Sequence, residues 1–424
     1  MHDCSLKLTG VTAAATSPPA RVVPPRPGPA DAQVVPHPDP TVADAAALAA
    51  AYADELLVGT ARDTHLAISS RVFGALGLVS HDARRIQRVH DRVAGGVYGS
   101  MSTALRAAGL GLTRLGRAEV GPRLNDSTAG RALQSAVNGL IGEVLSKDHP
   151  HLALQMSVRV DGRPVPTRRE ELAAAFPDAT GRVVVFLHGL GEQEGNWGFR
   201  SQELGGTYGS RLRTAGGWTP VFLRANTGLG VSTNGVALTA LMQELVEQWP
   251  VPVERIALVG HSMGGLIMRA ACAVSTTAGE PWLERLSDLV TLGTPHLGAD
   301  LAVGTKHGSQ LLRLLEETSG FHRILEHRSP GIRDLERGLP DLPPLPHVRY
   351  RLVSAEVGSP RVPLGRLFGD LLVRRRSAHG IRRVGLRRTL QLFPDADVLH
   401  VPRANHFSLL NHPDVDRAMR GWLA

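Results

Sequence analysis

The stretch Ile256-Ala257-Leu258-Val259-Gly260-His261-Ser262-Met263-Gly264-Gly265-Leu266 decides the fold. Its four leading apolar residues make a short run of the kind buried on both faces of a parallel sheet. A helix-compatible segment, Gly264–Val274, follows the serine directly. Gly260, Ser262 and Gly264 form the one G-x-S-x-G match in the chain. Chance alone supplies on the order of 0.3 such matches in a chain this long, so the pattern carries weight only through its strand-to-helix setting. That setting suits a sharp bend lifting a serine hydroxyl clear of a sheet, where side chains at positions 260 and 264 would clash. Gly265 is expected to let the helix pack tightly on the sheet. The helix N-terminus favours negative charge developing beside Ser262.

The same texture extends to both sides. Leu152–Val160 alternates, and Asp161-Gly162 reads as a hairpin turn before Val165. Short apolar runs then recur at Val183–Leu187, Pro220–Leu223, Leu289–Leu292, Arg349–Val353 and Val398–Val401. Helical segments fit between or after them at Tyr208–Thr214, Asn234–Gln248 and Val415–Leu423. Strands alternating with helices predict a mostly parallel, doubly wound α/β sheet over residues 151–424. In such a sheet the reactive groups sit beyond the carboxyl ends of the strands.

One such end, after Val183–Leu187, reads His188-Gly189-Leu190-Gly191. Attack of Ser262 on a carbonyl creates an oxyanion that needs two N–H donors, and Leu190 and Met263 are the candidate amides. His188 precedes the nucleophile and is read as structural. The expected chain order places the acid and then the base after Ser262. His406, between the last strand and the last helix, is the candidate base. His412 is the rival, but its His412-Pro413 step reads as a helix boundary; His400 lies within a strand and His296 after an earlier one. For the acid, Asp370 in the glycine-led Gly369-Asp370-Leu371 loop is preferred and Glu356 is the alternative; Asp395 and Asp397 read as turn residues. The acid would hold the imidazole tautomer.

Together, His188-Gly189-Leu190-Gly191, Gly260-His261-Ser262-Met263-Gly264-Gly265, Gly293-Thr294-Pro295-His296-Leu297-Gly298-Ala299 and Asn405-His406 resemble the α/β-hydrolase lipases and esterases. The nearest likeness is to the branch of GPI inositol-deacylase-like hydrolases and bacterial triacylglycerol lipases. The resemblance covers roughly residues 152–424. It implies the α/β-hydrolase fold, hydrolysis of an acyl or lipid-like ester without cofactor or metal, and a triad of Ser262, Asp370 and His406. Acyl transfer and thioester hydrolysis would use the same residues. A non-catalytic scaffold binding a partner or membrane is the reading from another class.

The rest of the chain bounds these expectations. Residues 1–40 are Pro/Ala-rich and read as a disordered tail, without the apolar core of a signal peptide. Residues 41–150 read as helical, with Gly95-Gly96 and Gly121-Pro122 as breaks and no obvious chemistry. The two cysteines, Cys4 and Cys272, make neither a disulfide framework nor a metal cluster, which suits a cytoplasmic protein. No apolar run reaches the roughly 18 residues that span a bilayer. The net charge of +8 comes almost wholly from arginine, a coding-bias signature, and no nucleic-acid motif accompanies it. The cluster Arg374–Arg388 is a candidate peripheral membrane contact. Residues 297–346, at the usual insertion point, are a candidate cap or lid.

Overall fold

The computed structural model describes residues 40–52, isolated positions from 54 to 73, 83–118, 120–299, 329–356, 373–384 and 388–424. The region ahead of the sheet contributes helices α1 (Val42–Tyr52), α2 (Ala83–Arg117) and α3 (Thr128–Asp148). The expected break at Gly95-Gly96 does not occur: α2 runs unbroken through it for 35 residues. An exposed glycine costs a helix only about 1 kcal/mol relative to alanine, and α1 packs along the helix further on, with Gly109 facing Ala47 and Gly116 facing Asp44. The break at Gly121-Pro122 does occur, ahead of α3, whose N-cap Ser127 accepts the Gly130 N–H.

Strands β1 (Ser157–Val160) and β2 (Arg163–Val165) pair antiparallel across Asp161-Gly162, with Val160 opposite Arg163. Both turn residues have positive φ, 51° and 82°, as a two-residue hairpin following the strand twist requires. Strands and helices then alternate: α4 (Arg169–Ala175), β3 (Arg182–Leu187), α5 (Tyr208–Gly216), β4 (Thr219–Arg224), α6 (Val231–Gln248), β5 (Arg255–His261), α7 (Met263–Ala278) and β6 (Leu286–Leu292). After these come α8 (Pro330–Arg337), β7 (Arg349–Glu356), α9 (Arg375–Ala378), a separate hairpin β8 (Ile381–Val384) and β9 (Arg388–Gln391), β10 (Asp397–Pro402) and α10 (Pro413–Trp422). The main sheet has the order β10-β7-β6-β5-β3-β4-β1-β2, with β3 to β7 and β10 parallel and β1 antiparallel to β4.

Period-two alternation divides each central strand between two cores. Val183, Val185, Ile256, Leu258 and Leu289 join α6 and α7 side chains on one face. Val184, Phe186, Ala257, Val259 and Val290 join Tyr208, Leu212, Val415 and Met419 of α5 and α10 on the other. The strands are apolar throughout because both faces are covered. Residues 39–424 form one compact unit. No helix among the described residues is long and apolar enough to cross a membrane.

Candidate active site

The sheet places β5 centrally, and its carboxyl end delivers Ser262 into the bend before α7. Ser262 takes φ 52° and ψ −121°, a left-handed conformation that costs a non-glycine residue about 1–3 kcal/mol. Two contacts hold it there: its N–H donates to Leu292 O at 2.8 Å, and its carbonyl accepts the Gly265 N–H at 3.2 Å. The crowding expected at the flanking glycines is present. A Cβ at Gly260 would lie 2.5 Å from Gly265 N, and one at Gly264 would lie 2.6 Å from His188 O. The predicted tight packing at Gly265 is against Thr291 and Thr294, at and just beyond the end of β6.

The loop after β3 lies against this bend, since a Cβ on Gly189 would sit 2.9 Å from Ser262 Cβ. Leu190 N–H and Met263 N–H donate no hydrogen bond to any described residue, so both expected oxyanion donors remain uncommitted. Gly191, at φ 68°, is tied by its N–H to Thr227 Oγ1 at 2.9 Å. His188 is fully buried; its Nδ1–H donates to Gly189 O and its Nε2 accepts the Ala225 N–H. Burial pushes its pKa down, so it is a neutral structural spacer.

His406 begins the short turn His406–Asn411 between β10 and α10, at the position expected for a base. Asn405 caps that turn by accepting the Ser408 N–H at 2.9 Å. The His406 ring rests on the carboxyl end of β6, with Cε1 and Nδ1 2.9 and 3.0 Å from where a Gly293 Cβ would be. Since Ser262 N–H bonds Leu292, the neighbour of Gly293, serine and imidazole share one edge of the sheet. His412 caps α10 by accepting the Asp414 N–H. His296 is buried between Arg269 and Thr291.

Sequence reasoning missed a buried ion pair that joins these parts. His261 Nδ1–H donates to Glu192 Oε2 at 2.9 Å, and His261 Nε2 meets the His406 carbonyl at 3.2 Å. The same Glu192 oxygen accepts the Gly189 N–H at 2.8 Å. Both ring nitrogens thus face acceptors, the arrangement of an imidazolium. Burial works to raise the Glu192 carboxyl, but the His261 charge and the hydrogen bonds from His261 and Gly189 outweigh it and hold the pKa at about 2. The signal available in the sequence was a carboxylate directly after the His188–Gly191 loop and an imidazole directly before the nucleophile.

The acid is the part not brought together among the described residues. Asp370 lies outside them, as do residues 300–328 of the candidate lid and the tail through 39. Glu356, the alternative, ends β7 buried; its Oε2 lies 3.3 Å from His400 Nε2. His400 in turn meets Ser354 Oγ, which also meets His379. Among the described residues no group of three or more His, Cys, Asp or Glu could hold a metal ion.

Residues 179–336, which carry β3 to β6 and the Ser262 bend, match the family described as "Putative serine esterase (DUF676)". The match does not single out the inositol-deacylase-like branch. A sequence search of curated proteins finds no match. Among solved structures, the propeptide form of the Bacillus licheniformis lipase BlEst2 is 18% identical with a TM-score of 0.39, covering 58% of this chain and 51% of that one. The chain therefore spans about half the length of that structure. The RedJ thioesterase of the Streptomyces coelicolor prodiginine pathway is 21% identical with a TM-score of 0.34, covering 58% and 91%. The Pyrococcus furiosus esterase Pf2001 is 12% identical with a TM-score of 0.34, covering 58% and 81%. A mostly parallel sheet with its serine bend after β5 and a histidine turn after the last strand decides the matter: this is an α/β-hydrolase-fold chain whose residues 179–336 match a serine esterase family.

Proposed function

We propose that the protein hydrolyses carboxylic esters of acyl or lipid-like type through an acyl-serine intermediate. The observation that carries this reading is the left-handed Ser262, set at the N-terminus of α7 beside two uncommitted amides. In the proposed reaction, Ser262 Oγ attacks the carbonyl carbon while His406 takes its proton. The carbonyl oxygen becomes an oxyanion held by the Leu190 and Met263 N–H groups, each worth about 3–4 kcal/mol in the transition state. Collapse expels the alcohol, which takes the proton from His406. Water, deprotonated by the same imidazole, then releases the acid and restores Ser262. Asp370 is retained as the orienting carboxylate.

A fluorophosphonate probe and a chain-length panel of nitrophenyl esters test the proposal. Wild-type protein is expected to take a covalent label on Ser262 and turn over esters, and Ser262→Ala to do neither. Absence of a label on correctly folded wild type would mean a non-catalytic scaffold. A panel extended to acyl thioesters and to alcohol acceptors distinguishes hydrolysis of oxygen esters from thioester hydrolysis and acyl transfer.

A further inference from the structure

Helix α2 carries an apolar stripe that nothing in the described structure covers. Ile86, Val89, Val93, Val97 and Met101 recur at intervals of three and four residues, so they line one face over about 22 Å of helix. Each is about half exposed or more, from 48% at Met101 to 62% at Val93. The edge of this face towards Met101 is occupied: Ala94 is buried, Tyr98 meets His65, Asp91 meets Ser69, and His90, which lies within the arc of the stripe, meets Ser69 and Phe73. Helix α1 packs along the later part of α2, near Gly109 and Gly116, beyond the stripe.

The charge on this helix is equally lopsided. Arg84, Arg85, Arg88, Arg92, Arg106, Arg114 and Arg117 stand against one acidic residue, Asp91, so α2 holds most of the chain's net charge of +8. All seven arginines are exposed, and on a helical wheel they fall outside the arc of the stripe. Apolar residues on one face and arginines on the other make a helix that lies in the plane of a membrane interface, its stripe among acyl chains and its guanidinium groups at anionic headgroups. A second copy of this chain is the poorer occupant, because an isologous contact would bring two such arginine-rich helices together.

We propose that α2 is a docking surface for an anionic lipid bilayer, entered by the Ile86-Val89-Val93-Val97-Met101 stripe and held by its arginines. The site is separate from Ser262 and does not require hydrolysis.

Co-sedimentation of the full chain with phosphatidylcholine vesicles, with and without phosphatidylglycerol, tests this. Wild type is expected to bind the mixed vesicles, to bind pure phosphatidylcholine far more weakly, and to be released by salt. The pair Val93→Asp and Val97→Asp should reduce binding by at least about tenfold. Charge reversal at Arg84, Arg85 and Arg88 should reduce it by roughly fivefold or more per arginine. Hydrolysis of a soluble nitrophenyl ester and the circular dichroism spectrum should be unchanged in both variants, which separates failure to dock from failure to fold or react. Equal binding to both vesicle types, or loss only on reversing Arg375 and Arg376 in α9, would overturn the proposal. So would a wild-type dimer that the aspartate variants convert to monomer in light scattering.

Discussion

Replacing Glu192 by glutamine preserves shape and removes one charge from the ion pair beneath the site. The carboxyl is held near 2, against an ordinary 4.5, by the His261 charge and two hydrogen bonds that overcome its burial. The folded protein therefore binds fewer protons at this position than the unfolded chain. The stability it contributes is complete above pH 4.5 and is lost as pH falls toward 2. At 1.36 kcal/mol per pKa unit the contribution is of order 3 kcal/mol. Glu192→Gln should thus unfold at lower urea concentration than wild type at pH 7, with the gap closing as the pH is lowered through about 4.5. A second effect reaches the base. The His261 ring bridges Glu192 Oε2 and the His406 carbonyl, so weakening the first contact also disturbs the bond to that carbonyl. Losing that bond, worth about 1.5 kcal/mol, should slow fluorophosphonate labelling of Ser262 roughly tenfold. Urea titrations across this pH range and labelling rates at pH 7 are the measurements. A stability gap equally wide at low pH, or an unchanged labelling rate, would refute the assignment.

Gly264→Ala places a methyl group about 2.6 Å from the His188 carbonyl oxygen, against backbone that cannot rotate away; loss of several kcal/mol is expected, read as insoluble or urea-sensitive protein. Asp370→Asn should lower ester turnover by up to about 10⁴-fold, while Glu356→Gln, whose carboxylate already lies against His400, should stay within about tenfold of wild type. The opposite ranking in steady-state assays would make Glu356 the acid. Burial, with Arg375 and His400 nearby, pushes His379 down to about 4 from 6.5, so the neutral ring's contribution is complete above pH 6.5 and lost as pH falls toward 4. His379→Gln, able to keep the bond to Ser354 Oγ, should flatten the fall of urea midpoint in that window.

The sheet was legible because its signals are local. Val183–Leu187 and Ile256–Val259 read as strands buried on both faces, and they pair in register, Val183 opposite Ile256. The turn at Asp161-Gly162 and the bend at Ser262 follow from glycine spacing within ten residues. The Glu192–His261 pair was not legible, since its partners lie 69 positions apart and meet only after β3 and β5 pair. Gly95-Gly96 misled for the opposite reason: a local breaker was overruled by the helix-forming residues around it and by α1 packed further along. Position between the last strand and the last helix made His406 the candidate base, and the structure does set it in the turn between β10 and α10. For the acid, sequence order placed a candidate in 357–372, which the described structure leaves open.

Helix α3 joins the helical region to the chemistry. Its Gly139 faces the glycine loop so closely that a Cβ would lie 2.9 Å from both Gly191 N and Gly191 Cα. Ser329, ahead of α8, donates to the Gly139 carbonyl at 2.8 Å, and Asn226, just past β4, donates to Gly142 O at 3.1 Å. Gly191 adjoins Leu190, so the backbone of α3 forms one wall of the turn that aims a proposed oxyanion donor. Preorganised donors are effective because they need no rearrangement as charge develops. A wall that set Leu190 even 1 Å off would forfeit much of that benefit. The Pro/Ala-rich start, the arginine-rich α2 and the glycine-faced α3 therefore need not share one purpose. In this arrangement α3 backs the proposed oxyanion site, and the exposed face of α2 is left for the proposed encounter with a bilayer.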